Sequence, residues 1–232
     1  MKRFYTSVAV AEAGTGARRI LLDGRPVRTP GRVPLELATA ALAEAVAAEW
    51  RAQGDTVVPR SMPLTSLAST STDRVRPLRD GVTAQLVRFI RSELVCYRAE
   101  TPEDLVARQE ACWQPLVDWF AQRFDAPLRV VRGVMPEPQP DAAHRAAAAA
   151  LEALDADALT TVSCAAAAAG SLVLALALVE GRLDAEATAA AAQLDEIWQA
   201  ERWGDDPQAA ERRAAVLAEI DAAARYFALT RA

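Results

Sequence analysis

The side chains able to do chemistry are few and scattered. One histidine, His144, stands in the 232 residues. That excludes a HExxH zinc site and a histidine-rich metal cage and argues against a catalytic triad. The cysteines Cys96, Cys112 and Cys164 lie far apart with no CxxC, so neither a disulfide framework nor a readable zinc site exists. Cys96 and Cys112 have apolar neighbours and read as inert core thiols. Carboxylates pair at Glu103-Asp104, Asp195-Glu196 and Asp205-Asp206. Adjacent helical side chains point about 100° apart, so these pairs do not converge as an acid and a base. Gly14-Thr15-Gly16 is too short and lacks a strand-then-helix context, and no GxGxxG, P-loop or GxSxG is present. Arg74, Arg76, Arg79, Arg88 and Arg91 spread around the side of a helix opposite its apolar stripe. Asp73, Asp80 and Glu93 interrupt them, and no aromatics interleave, so they read as a solvated face and not a nucleic-acid patch. His144, near a helix N-terminus, has no assigned role.

With no catalytic constellation, weight moves to binding, because an interface needs aromatic anchors more than titrating groups. The composition, 52% hydrophobic and 25% charged, is that of a soluble globular chain. Acidic residues outnumber basic ones 31 to 26, for a net charge of −5, the opposite of the usual nucleic-acid-binding balance. MKRFYTSVAV has no apolar run ending in a small-residue cleavage site, so a cytoplasmic protein without a signal peptide is expected. Thr160–Val179 carries no charge and is long enough for a membrane span. Its threonines, serines, Gly170 and alanines dilute the hydrophobicity, and the flanking charges Asp155, Asp157 and Glu180 are acidic. It reads as a central helix buried on all sides. No cofactor and no metal are expected.

The elements that must position any functional residue fall into two parts. Residues 1–72 read as a small α+β domain. Strand composition runs over Arg3–Val10 and Arg19–Leu22, Asp23-Gly24 suits a type I′ hairpin turn, and a short strand is expected over Val33–Leu37. A helix over Ala38–Gln53 buries Leu42, Val46 and Trp50, which makes Trp50 a structural determinant. Residues 73–232 read as mainly helical, with a possible strand over Leu128–Val134 that packs elsewhere and a stiff loop at Pro136, Pro138 and Pro140. Helices are expected over Arg74–Glu93, with Val75, Leu78, Val82, Leu86, Phe89 and Ile90 on one stripe. Others are expected from a Thr101 N-cap to Phe124 with a kink at Pro115, and over Asp141–Ala153, Ala156–Glu180, Asp184–Trp203 and Pro207–Leu229. The fold class is α+β.

One helix face stands out. With Leu194 at the wheel origin, Trp198 and Ile197 or Glu201 share its side, while Glu196, Gln199 and Trp203 share the opposite one. An acid, an amide and a tryptophan in one stripe suit a binding strip. The alternative has Ala185, Ala189 and Ala192 packing that stripe on the central helix, with Glu196 a rim residue.

Four segments together resemble the assembly chaperones of the F-type ATP synthase that hold its alpha subunit. They are LLDGRPVRTP (21–30), EWRAQGDTVVPRSMPLTSLASTSTDRV (49–75), VCYRAETPEDLVARQEACWQPLVDWF (95–120) and LDEIWQAERWGD (194–205). The chain departs from the family pattern in having Ser92-Glu93 before VCYRAE and Trp198 in the last motif. The resemblance implies a small N-terminal α+β domain, a helical C-terminal domain and a non-enzymatic role. That role is to cover a surface of the unassembled alpha subunit until beta displaces it. It also implies a functionally important glutamate in the last motif. Glu196 is the best match, with Asp195 or Glu201 the other positions, and Trp50 matches a position on which the family depends. No nucleic acid and no membrane insertion are implied. The rival reading is an enzyme of unknown reaction using an inter-domain cleft.

Overall fold

In the computed structural model the elements run β1 (Val8–Glu12), β2 (Arg18–Leu22), β3 (Arg25–Pro26), β4 (Glu36–Leu37), α1 (Ala40–Arg51), α2 (Pro63–Thr70), α3 (Arg79–Val87), β5 (Tyr97–Arg98), α4 (Glu103–Phe124), β6 (Val131–Arg132), α5 (Asp141–Glu152), α6 (Ala156–Ala169), α7 (Leu172–Val179), α8 (Ala185–Ala192), α9 (Leu194–Trp203) and α10 (Pro207–Thr230). The structure describes residues 1–133, 135 and 137–232, with the backbone alone at Thr15. The α+β class read from the sequence is borne out. Two compact units form: residues 1–79 with 156–161 and 225–232, and residues 80–155 with 162–224.

In the first unit β2 organises the sheet. One edge pairs antiparallel with β1, and the other takes β3 at one end and β4 at the other. Asp23 and Gly24 link β2 to β3 with φ of 46° and 77°, the type I′ geometry expected of the dipeptide. The Asp23 carboxylate also accepts from the Ser7 N–H at 2.8 Å and from the Thr6 N–H, pinning the chain ahead of β1. Those bonds, the one from Ser7 foremost, hold its pKa down at about 2. The expected strand over Arg3–Val10 begins instead at Val8, and upstream only a single bridge joins Lys2 to Thr56. The strand expected over Val33–Leu37 contracts to Glu36–Leu37.

Ile20 and Leu22 alternate inward on β2 and meet α1, which buries Leu42, Ala43, Val46, Ala47 and Trp50. Thr39 caps α1, its hydroxyl accepting from the Leu42 N–H and donating to the Leu229 carbonyl. Tyr5 stands edge-on to Trp50 at 5.6 Å and donates its hydroxyl to the Trp50 carbonyl at 2.7 Å. The Trp50 indole N–H is buried without an acceptor.

Helix α2 was not expected from its Ser/Thr-rich sequence. Its first N–H groups are met from outside, since Glu49 of α1 accepts from the Leu64 and Thr65 N–H groups at 2.7 and 2.8 Å. A widened π turn follows over Ser71–Val75, before α3. Residues 76–78 form a turn between it and α3, which starts only at Arg79, so Val75, Val82, Leu86 and Ile90 are buried as expected but Leu78, on that turn, is 60% exposed. Asp157 completes this unit by accepting from Ser71 and Tyr226 hydroxyls at 2.6 and 2.7 Å.

In the second unit α4 buries Leu105, Gln109, Trp113, Leu116, Val117 and Phe120. It runs through Pro115, and Thr101 does not cap it: Pro102 occupies the cap position, one residue nearer than that hydroxyl. The expected strand over Leu128–Val134 shortens to β6, which pairs parallel with β5, Tyr97 opposite Val131. Val134 and Pro136 lie outside the described residues.

The charge-free run is two helices, not one. Gly170 takes φ 67° and Ser171 restarts the chain as α7, its hydroxyl accepting from the Leu174 N–H at 3.0 Å. Every residue from Leu172 to Leu178 is buried. The N–H groups of Leu172 and Val173 donate at 3.0 and 3.3 Å to the carboxylate of Glu93, which also accepts from the Ser171 hydroxyl. Glu93 is wholly buried, and burial pushes its pKa from the ordinary 4.5 up to about 7 in spite of those bonds. The helix expected over Asp184–Trp203 likewise breaks at Gln193, with Asp184 capping α8 through the Ala187 N–H.

Between pH 4.5 and 7 folded Glu93 holds a proton that the unfolded chain releases, so stability falls as pH rises through that interval and levels off above it. The loss is on the order of a few kcal/mol. Asp23 acts in the opposite sense and only below its ordinary 3.8. Urea midpoints at several pH values test this, with a flattened profile expected for Glu93→Gln; an unchanged slope in that variant refutes the assignment. Trp50→Ala is expected to cost ~3–5 kcal/mol. Trp50→Phe should cost clearly less, because the indole N–H makes no bond.

Candidate partner-binding surface

Helix α9 is held to α4 by side chains, each with a named partner. Trp113 first fixes the end of α8, donating its indole N–H to the Ala191 carbonyl at 2.8 Å. Gln109, fully buried on α4, donates to Asp195 at 2.8 Å and accepts from the Ala99 N–H at 2.7 Å. Asp104 accepts from the Trp198 indole N–H at 2.9 Å and pairs with Arg202, whose guanidinium lies over the Trp198 ring at 4.7 Å. The Trp198 bond comes first among the causes that hold the Asp104 carboxyl below its usual range. Arg108 grips Glu201 through two bonds, at 2.5 and 3.0 Å. Leu194 and Trp198 supply the buried apolar side.

The opposite side is open. Glu196, Gln199 and Trp203 are all exposed, Trp203 at 74%, its ring edge-on to Trp198 at 5.5 Å. The structure therefore brings these three together on the outward face. It places Asp195 apart from them, half-buried against α4, and Glu201 in the pair with Arg108. Of the upstream alanines, Ala189 is buried and Ala185 and Ala192 are half-buried, so the alternative in part holds, but α8 ends before Gln193 and they do not run on into the open face of α9. The sequence reading missed Asp104, Arg108 and Gln109 as the residues that set α9. The available signal was Gln109, an amide on the otherwise apolar stripe of α4.

The strongly shifted groups of this unit do not form an acid–base pair in a cleft. Glu93 is wholly buried, and burial pushes the Cys96 thiol up to about 12 and that of Cys164 up to about 11. No three His, Cys, Asp or Glu side chains gather to hold a metal among the described residues, and no helix there is long and apolar enough to cross a membrane.

The two acids of this motif should separate in a denaturation experiment. Glu196→Lys is expected to change stability by only about 0.5 kcal/mol, as at an open surface. Asp195→Lys strands the buried Gln109 amide and should cost about 1–3 kcal/mol. Equal losses would mean that Glu196 is not on an open face.

The model of the ATP12 chaperone protein family matches residues 2–121. Protein atp12, mitochondrial, of Schizosaccharomyces pombe is 26% identical over 217 residues, 88% of this chain and 74% of that protein. Atp12 from Paracoccus denitrificans is 41% identical and superposes with a TM-score of 0.91 over 99% of this chain and 98% of that one. An aspartate-to-lysine mutant of that protein gives the same values. A putative chaperone from Agrobacterium tumefaciens is 42% identical, with a TM-score of 0.91 over 98% of this chain and 85% of its own. The resemblance carried by the four sequence segments is thus borne out, and the chain belongs to the ATP12 chaperone protein family.

Proposed function

We propose that this chain is a cytoplasmic assembly chaperone of the proton-translocating F-type ATP synthase. It holds the unassembled alpha subunit, prevents its aggregation and yields it when beta pairs with it. The observation that carries the reading is the outward strip of α9. Trp203 stands 74% exposed beside Glu196 and Gln199, on a helix whose inner side chains are already bonded. A large aromatic left in water on a fixed helix is an anchor awaiting a pocket. Glu196 sets the sign of the charge that the partner must present. Asp195, from the other side of α9, contributes by holding the helix in place. Holding of this kind consumes no nucleotide; release follows from mass action when beta competes for the covered surface.

The test is co-purification of alpha in the absence of beta, together with light scattering of alpha as it aggregates. Glu196→Lys and Trp203→Ala should each weaken alpha binding by tenfold or more with their melting midpoints retained. Glu12→Lys, an exposed charge reversal on β1, should leave binding unaltered. A wild-type chain that neither binds alpha nor slows its aggregation overturns the reading.

A further inference from the structure

A second surface of the helical unit borders the α9 strip. Helices α8, α9 and α10 enclose an open groove of about 370 Å³. Its apolar lining is Ala189, Ala190, Ile197, Ala214 and Leu217, with Glu186, Gln193 and Arg213 beside them. Leu217 is 38% exposed, and on α10 no residue from Pro207 to Glu219 is buried; the first buried one is Ile220. More than half of a long helix is therefore unburied, and beside the groove its alanines, Val216 and Leu217 are interspersed with Glu211, Arg212 and Arg213.

The rim is acidic. Glu186 lines the groove on α8, and Glu196 lies one turn from the lining residue Gln193. Neither acid has an ion-pair partner among the described residues, whereas the lining cation Arg213 is already taken by Asp205. The uncompensated charge at the rim is negative. The groove also has no strand edge to offer backbone donors, since all its walls are helical and spaced at i, i+3 and i+4. Small residues between helical ridges accept the ridge of another helix, not an extended strand.

We infer that this groove docks a basic amphipathic helix of the polypeptide the chaperone holds, an inference that rests on the proposed function for the source of that helix. The apolar ridge of the incoming helix lies over Ala189, Ala190 and Ala214 between Ile197 and Leu217. Its flanking lysines or arginines meet Glu186 and Glu196. Trp203 and the groove are then adjoining parts of one docking surface.

The experiment uses the full chain and two fluorescein-labelled peptides of about 18 residues, long enough to form a helix. Both carry leucine and alanine on one face; the other face is lysine in one peptide and glutamate in the other. Anisotropy titrations should show the lysine peptide binding, with affinity falling as salt rises, and the glutamate peptide at least tenfold weaker. Ala190→Trp fills the groove and Leu217→Lys repels the ligand; each should weaken the lysine peptide at least tenfold with the melting midpoint retained. Equal binding of the two peptides, or undiminished binding in both variants, overturns the inference. A concentration-dependent dimer that Ala190→Trp dissociates also overturns it, by showing a second copy in the groove. Because the probe is synthetic, a chain that binds the lysine peptide yet fails to hold alpha overturns the proposed function and not the groove.

Discussion

A buried helix start must have its N–H groups answered, and in the helical unit one carboxylate does this. Helix α7 is apolar from Leu172 onward and buried through Leu178, so water cannot reach its first turn. Glu93 brings two acceptor oxygens into the core and bonds the Leu172 and Val173 N–H groups and the Ser171 hydroxyl. The desolvation cost of that carboxyl is visible in its raised pKa. The bonds fix the chain around residue 93 against α7, which in turn fixes where β5 leaves and where α4 begins. From α4 the order passes outward through Trp113 to α8, and through Gln109 and Asp104 to α9.

The surface helix that results is anchored largely by polar groups. Only Leu194 and Trp198 of α9 are buried, while Asp195, Trp198, Glu201 and Arg202 each have a partner on α4. Two of those contacts, Arg108 with Glu201 and Arg202 with Asp104, are exposed ion pairs of small individual worth. Their joint effect is orientation: they leave α9 little freedom to rotate, so Glu196, Gln199 and Trp203 already face one way. A partner that docks there loses less free energy to ordering than it would on a loose helix.

Much of this was legible from residue order. Asp23-Gly24 predicted its turn because positive φ at both positions is a local property of those residues. The Leu42–Val46–Trp50 stripe and the outward stripe of α9 followed from helical spacing alone. What escaped was tertiary. Helix α2 depends on Glu49, a carboxylate supplied by another helix, so nothing in its own Ser/Thr-rich sequence marks a helix. The break at Gly170-Ser171 was hidden because the apolar pattern continues on both sides. It exists because a carboxylate buried far away in sequence stabilises a fresh helix start. Leu78 was misplaced because the helix expected from Arg74 is interrupted by a turn over residues 76–78, which periodicity does not reveal. The outward residues of the candidate site were thus readable, and the residues that hold them were not.

The membership of the first unit bears on the order of synthesis. Residues 1–79 are joined in it by residues 156–161 and 225–232. Thr39 at the head of α1 donates to the Leu229 carbonyl, and Ser71 shares Asp157 with Tyr226. A ribosome delivers the sheet and α1 long before it delivers those partners. Until residue 232 is free of the exit tunnel, the sheet and its helices have an unfinished face, and the intervening residues 80–155 and 162–224 are threaded out while that face waits. A member of a chaperone family therefore passes through a stage on the ribosome at which its own N-terminal unit is still incomplete.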